Sequence, residues 1–238
     1  MNIETLNRVI IALDFPSQER TLEFLTDFKE PAYVKIGMEL TYGAGLDVVR
    51  KVKDMGHQVF LDLKLHDIPN TVRGGMRSLS KLGVDMVNVH CAGGKEMMEA
   101  AIIGLEEGSK GGKRPLCIGV TQLTSITQQV MNQELAISGD LEEIVVKYGE
   151  NAKAAGLDGV VCSVHESKKI HQCLGDDFLT VTPGIRLADH KAQDQKRIAT
   201  PQVAKEQGSS YIVVGRSITE SPDPAAMYEK IKGLFEGR

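Results

Sequence analysis

Residues 58–91 read QVFLDLKLHDIPNTVRGGMRSLSKLGVDMVNVHC and hold one complete strand–helix–strand unit. Gln58–Leu65 is an apolar, alternating run of the kind a strand needs. Pro69-Asn70 signals a helix start, Thr71–Leu82 carries helical periodicity, and Gly83 supplies a left-handed cap before the next run, Asp85–Cys91. The unit recurs in both directions. Further strand-like runs are Arg8–Phe15, Tyr33–Met38, Pro115–Leu123, Gly159–Val164, Phe178–Ile185 and Tyr211–Ile218. Helical stretches fall between and after them at Ser17–Lys29, Ala44–Met55, Lys95–Glu106, Asp140–Ala155, Glu166–Leu174, Pro201–Gln207 and Pro224–Phe235. Gly56, Gly156 and Gly208 close helices as Gly83 does. Eight strands alternating with eight helices predict an α/β chain folded as a (β/α)8 TIM barrel, one domain over residues 1–238. A doubly wound open sheet is the alternative, but it normally has fewer strands in this length.

Composition agrees. With 238 residues, 42% apolar and 25% charged, the chain can bury a sizeable core without a disulfide or metal staple. Lys and Arg number 28 against 32 Asp and Glu, a net charge of -4, which does not suit a nucleic-acid or membrane surface. A small anion can still find a local positive pocket. Cys91, Cys117, Cys162 and Cys173 stand far apart with no C-x-x-C, which fits a reducing, cytoplasmic setting. Val9–Leu13 is too short for a signal segment, and no apolar run approaches the roughly 18 residues needed to span a bilayer. Gly43-Ala44-Gly45 is a poor dinucleotide fingerprint, because Val48 stands where a third glycine belongs. Gly111-Gly112-Lys113-Arg114 lacks the Ser/Thr of a phosphate loop and reads as a mobile polar connection.

Charge inside strands is the departure that points to chemistry. With a period of two, Leu61, Leu63 and Leu65 face the helices while Asp62 and Lys64 face the barrel interior. Burying a carboxylate beside an ammonium costs several kcal/mol unless the pair is satisfied or useful. Lys35 interrupts strand two and Asp14 closes strand one, so three neighbouring strands present Asp14, Lys35, Asp62 and Lys64 at one end, with Asp67 just above. Each ammonium then has a carboxylate neighbour that keeps it protonated, which favours proton donation over imine chemistry. At the far end, Gly215-Arg216 after strand eight and Arg186 after strand seven lie where barrel enzymes bind phosphate. Two long connections, Thr124–Gly139 and Arg186–Ile198, leave the same face and are lid candidates.

These residues carry a resemblance. Phe60–Thr71 resembles the D-x-K-x-x-D signature of orotidine 5′-phosphate decarboxylases, and Thr182-Pro183-Gly184-Ile185-Arg186, Gln195 and Val214-Gly215-Arg216-Ser217-Ile218 extend the likeness over nearly the whole chain. The resemblance implies decarboxylation of orotidine 5′-monophosphate to uridine 5′-monophosphate, the last step of de novo pyrimidine nucleotide synthesis. It implies no metal and no organic cofactor. Lys64 would donate the proton to C6, with Lys35, Asp62 and Asp67 completing the charged network. It further implies a homodimer in which Asp67, with Ile68 and Thr71, comes from the neighbouring subunit. Asp14 and Lys35 would hold the ribose, Thr124 the pyrimidine edge, and Arg186, Gln195, Gly215 and Arg216 the 5′-phosphate.

Two other readings share parts of this pattern. A metal-dependent barrel lyase acting on a sugar phosphate shares D-x-K-x-x-D and would place Mg²⁺ near Asp62. A catalytically idle nucleotide sensor would not need the Asp62–Lys64–Asp67 set. His66 and His90 have no metal-ligand spacing; His66 reads as lying on the outer side of its strand end and His90 as lining the pocket or satisfying a backbone group. Met97, Met98 and Met131 read as fillers of core or lid gaps.

Overall fold

The structure, a computed structural model, describes residues 7–187 and 199–237. Its parallel strands are β1 (Val9–Ala12), β2 (Tyr33–Gly37), β3 (Gln58–Leu65), β4 (Met86–His90), β5 (Leu116–Val120), β6 (Gly159–Val161), β7 (Leu179–Thr182) and β8 (Tyr211–Val214). They pair in chain order and β8 closes onto β1, giving the expected (β/α)8 barrel. The helices are α1 (Gln18–Leu25), α2 (Met38–Ala44), α3 (Asp47–Asp54), α4 (Pro69–Ser80), α5 (Gly94–Ser109), α6 (Gln128–Gln133), α7 (Leu141–Ala154), α8 (Val164–Leu174), α9 (Pro201–Glu206), α10 (Arg216–Thr219) and α11 (Pro224–Glu236). Among the described residues no helix is long and apolar enough to cross a membrane.

Alternation along the strands builds two cores. Val9, Ile11, Val34, Ile36, Val59, Leu61, Val87, Val89, Ile212 and Val214 point outward and pack under the helices. Ile10, Tyr33, Phe60, Met86, Ile118, Val181, Tyr211 and Val213 point inward and fill the barrel. Tyr33 and Tyr211 meet edge to face, ring centroids 6.0 Å apart, near the N-terminal ends of the strands. Rings of this size let inward side chains close the barrel floor without a channel.

One turn device recurs where helices return to that floor. Gly83, Gly156 and Gly208 take φ of 72°, 83° and 77°, as sequence reading expects of caps. Two residues later Asp85, Asp158 and Ser210 each turn a side-chain oxygen onto the preceding strand. They accept N–H groups from Val59 at 2.7 Å, Cys117 at 2.7 Å and Thr180 at 3.0 Å. Lys53 pairs with Asp85 at 2.7 Å, and Arg114 pairs with Asp158 through both guanidinium ends at 2.6 and 3.1 Å. Arg114, the last residue of the connection expected to be mobile, is therefore held in place.

Other expectations are also revised. The helix expected over Ala44–Met55 is α3, and a further helix, α2, precedes it: it starts directly after β2 and ends at Gly45, at φ 74°. The strand runs end earlier than their apolar patterns: Ser217 and Ile218 are buried in α10, and Val164 opens α8. The connection Thr124–Gly139 contains α6, capped by the Thr127 hydroxyl and anchored by fully buried Met131. Of the second lid candidate, residues 188–198 lie outside the described residues.

Candidate active site

Strand β3 carries the site, and its upper half is irregular. Below, Phe60 and Leu61 pair in register with Met86 and Val87 of β4. Above, Leu65 pairs with Val89, so four steps on β3 oppose two on β4. The surplus forms a bulge over residues 62–64, and Lys64 sits in the left-handed region at φ 51°. A bulge re-aims side chains, and a lysine with positive φ stores strain of order 1–3 kcal/mol that its surroundings must sustain.

The bulge gathers charge at the mouth. Lys64 Nζ lies 2.6 Å from Asp62 Oδ1, Lys35 Nζ lies 3.5 Å from Asp62 Oδ2, and the same Lys35 ammonium reaches Asp14 Oδ1 at 3.1 Å. Asp62 is the buried centre, its side chain 12% exposed, whereas Asp14 at the rim is 63% exposed. Burial alone would raise the Asp62 carboxyl. The Lys35 and Lys64 ammonium groups, with hydrogen bonds from Lys64 and Asn88, outweigh that and hold it below the usual carboxylate range. The structure thus brings together Asp14, Lys35, Asp62 and Lys64 in an alternating row across β1, β2 and β3.

Asn88 completes the row, and sequence reading passed over it. It is buried on the inward face of β4; its Nδ2 donates to Asp62 Oδ1 at 2.7 Å and its Oδ1 accepts the Lys64 N–H at 2.8 Å. The available signal was a lone amide two residues beyond inward Met86 in an apolar strand. His90, two residues further, is half-buried with its ring centroid 5.5 Å from that of exposed His66. Burial, then His66 and Lys64, pushes the His90 imidazole down. Among the described residues, no three His, Cys, Asp or Glu side chains gather as a metal-ligand set.

Asp67 does not join the row within one chain. Its carboxylate accepts the neighbouring Ile68 N–H at 2.7 Å and is exposed, as is Thr71; Ile68 is 68% exposed at the same rim. Thr124 is half-buried in the connection after β5. Arg186 follows β7, where its N–H donates to the Ala199 carbonyl at 2.9 Å. Gly215 caps α10 and Arg216 opens it directly after β8. Gln195 lies outside the described residues.

Comparison with known proteins agrees with this geometry. Residues 7–231 match the family described as orotidine 5′-phosphate decarboxylase / HUMPS. An orotidine 5′-phosphate decarboxylase of Lysinibacillus sphaericus is 58% identical over 95% of this chain and 97% of its own. One of Bacillus cereus is 55% identical over 96% and 97%. A crystal structure of the Lactobacillus acidophilus orotidine 5′-phosphate decarboxylase superposes with a TM-score of 0.87 at 46% identity, covering 96% of this chain and 99% of that one.

Proposed function

The chain belongs to the orotidine 5′-phosphate decarboxylase / HUMPS family, and from that premise we propose that it converts orotidine 5′-monophosphate to uridine 5′-monophosphate and carbon dioxide without a cofactor. The observation that carries the proposal is buried Asp62 held between Lys35 and Lys64 at the open, C-terminal mouth of the barrel. The reaction breaks the bond between C6 and the carboxylate, and its electron pair stays on C6. No neighbouring π-system delocalises that pair, so the site must stabilise it. The Lys64 ammonium stands where the charge develops, and fixed positive charge in a water-poor cavity is most effective there. Lys64 then gives its proton to C6 and regains one from solvent.

Asp62 also faces the substrate carboxylate. Two like charges at ~4 Å with an effective dielectric of ~20 repel by about 4 kcal/mol. That is a minority of the ~8–23 kcal/mol that enzymes typically supply. Stabilisation of the developing carbanion therefore ranks first, and repulsion of the bound carboxylate contributes.

The remaining roles are those that the family resemblance implies. Asp14 and Lys35 hold the ribose hydroxyls, and Thr124 the pyrimidine edge. Gly215 and Arg216, at the start of the short helix after β8, receive the 5′-phosphate together with Arg186 and Gln195. Remote binding of that phosphate can be expressed in the rate of the chemical step. Asp67, exposed beside apolar Ile68 at the rim, reaches the site of a second copy, which makes the protein a homodimer with shared sites.

Incubating the purified protein with orotidine 5′-monophosphate in EDTA and following the substrate's absorbance tests the reaction. Turnover is expected. A folded protein that leaves the substrate unchanged removes the proposal, and turnover that needs added Mg²⁺ favours the metal-dependent lyase. Mixing Lys64→Ala and Asp67→Ala subunits tests sharing: activity returns when mixed dimers form. Subunit exchange without recovery argues for sites built from one chain.

A further inference from the structure

The bulge in β3 leaves a bookkeeping question at Lys64. Its N–H has turned away from the regular ladder, in a backbone conformation that L residues rarely adopt, and it needs an acceptor from outside that ladder. One side chain provides it. Asn88 Oδ1 accepts the Lys64 N–H at 2.8 Å, while Nδ2 of the same amide donates to Asp62 Oδ1 at 2.7 Å. Asp62 Oδ1 thereby receives both Asn88 and the Lys64 ammonium, which leaves Oδ2 toward Lys35 at 3.5 Å.

We propose that Asn88 is a positioning residue for the proton donor: its amide clamps the bulge so that the Lys64 ammonium and the Asp62 carboxylate are held in one fixed geometry. The inference rests on the reading of Lys64 as proton donor. Asn88 itself acts through Lys64 and Asp62.

The chemistry of position 88 is narrow. The site needs an acceptor on one end and a donor on the other, 1% exposed, at the level of the bulge. Leucine has the shape but neither function, and would leave the part-buried Lys64 N–H without its acceptor and remove a donor from Asp62. Aspartate keeps the acceptor but sets a second carboxylate against Asp62, and two carboxylates sharing a site raise one of their pKa values. Glutamine adds a methylene to a packed interior. An amide of asparagine's length meets both demands.

The experiment compares Asn88→Leu and Asn88→Asp with the parent protein. In Asn88→Leu, kcat falls about 100-fold, the scale of a misplaced reacting group, while KM stays within about threefold. Two readouts do not depend on turnover. Amide exchange at Lys64, followed by NMR, accelerates in Asn88→Leu and stays protected in Asn88→Asp. The Asp62 carboxyl, which faces Lys35 from β2, Lys64 from β3 and His90 from the end of β4, titrates at higher pH in both variants. In Asn88→Asp the acid limb of the kcat profile moves up in step.

A folded Asn88→Leu protein with kcat within about twofold of the parent and unchanged Asp62 titration overturns the inference. If that variant does not fold, Asn88→Asp decides the matter, and an unmoved acid limb with unmoved Asp62 titration is the overturning result. Should the parent protein not decarboxylate orotidine 5′-monophosphate, the functional reading fails by itself. The clamp is then judged by Lys64 exchange and Asp62 titration alone.

Discussion

The two ends of the barrel use the same materials for opposite purposes. At the floor, Asp85 and Asp158 each accept a backbone N–H from the neighbouring strand and pair with a lysine or arginine at 2.7 and 2.6 Å. Both of these carboxylates end on strand backbone, and the strands run in regular register there. At the mouth, Asp62 also holds two cations and two hydrogen bonds, but its strand is bulged and Lys64 is strained. Floor charges fix the strands, while mouth charges are themselves fixed, at local cost, at the open end of the barrel. Strain persists where surrounding structure over-determines it, and that is where function is sought.

The largest effect that would break this contrast comes from the mouth. Lys64→Ala removes the proposed proton donor together with its positive charge, contributions of ~10²–10⁴ and ~10²–10³ in other enzymes, so turnover should fall at least ~10³-fold. Thermal stability should change little, because Asn88 and Lys35 still satisfy Asp62. A variant that keeps near-parent turnover would remove Lys64 from its role. One that unfolds would show the mouth to be as structural as the floor.

How much of this was legible follows from what each residue announces. The barrel was readable because β-branched runs and left-handed glycines repeat along the chain, and the glycine expectations at 56, 83, 156 and 208 hold in detail. Asp14, Lys35, Asp62 and Lys64 were readable because a charge in an apolar strand is an anomaly. Asn88 carries no charge, so its strand looked ordinary. The bulge was invisible because Asp62-Leu63-Lys64-Leu65 alternates as a flat strand does; the backbone departs from the pattern through tertiary pairing with β4. In sequence Gly45 looks like part of a failed nucleotide motif, whereas in the fold it ends α2. Asp67 lacks a cation partner because the chain alone does not provide one among the described residues.

Floor substitutions should separate stability from activity in the other direction. Asp158→Ala strands the Cys117 N–H and leaves Arg114, in a half-buried position, without its carboxylate, at a cost of about 3 kcal/mol. Gly159→Ala places a Cβ against the Leu179 carbonyl oxygen at the same corner and costs about 2 kcal/mol by overpacking. Urea midpoints measure both, and kcat of the folded fraction should stay at the parent value. A loss of kcat without a loss of stability would erase the division between the ends.

The glycine at the mouth offers the matching case. A Cβ on Gly37 would stand 3.2 Å from Lys35 Nζ, the far end of a flexible chain, and its φ of -95° suits any residue. Gly37→Ala should therefore fold normally yet displace the Lys35 ammonium, lowering kcat/KM roughly tenfold. Parent-like kinetics would mean that Lys35 has room its neighbours do not show.

The smallest effect is set by pH, and it distinguishes the ends by where each loses stability. At the floor, burial lowers the His57 pKa from 6.5, and its Nδ1 accepts the Ala32 N–H at 3.0 Å, a bond only the neutral ring can receive. The unfolded chain then binds the proton more readily, so stability rises with pH. This contribution is complete above about pH 6.5, the unfolded value, and is lost as pH falls through the lower native one. Half-buried His90 adds a term of the same sign at the mouth. Asp62 is likewise lowered, so its contribution survives to below about pH 4 and disappears only as its native value is crossed. Unfolding free energy measured from pH 7 down to pH 5 should therefore decline through the histidines alone. His57→Gln should flatten that decline, and Asp62→Asn should alter it less and only by lowering His90 further, since the Asp62 charge pulls that imidazole upward. The reverse pattern would assign the mid-range pH dependence to the charged mouth, and the floor would lose its claim to be the part that governs folding.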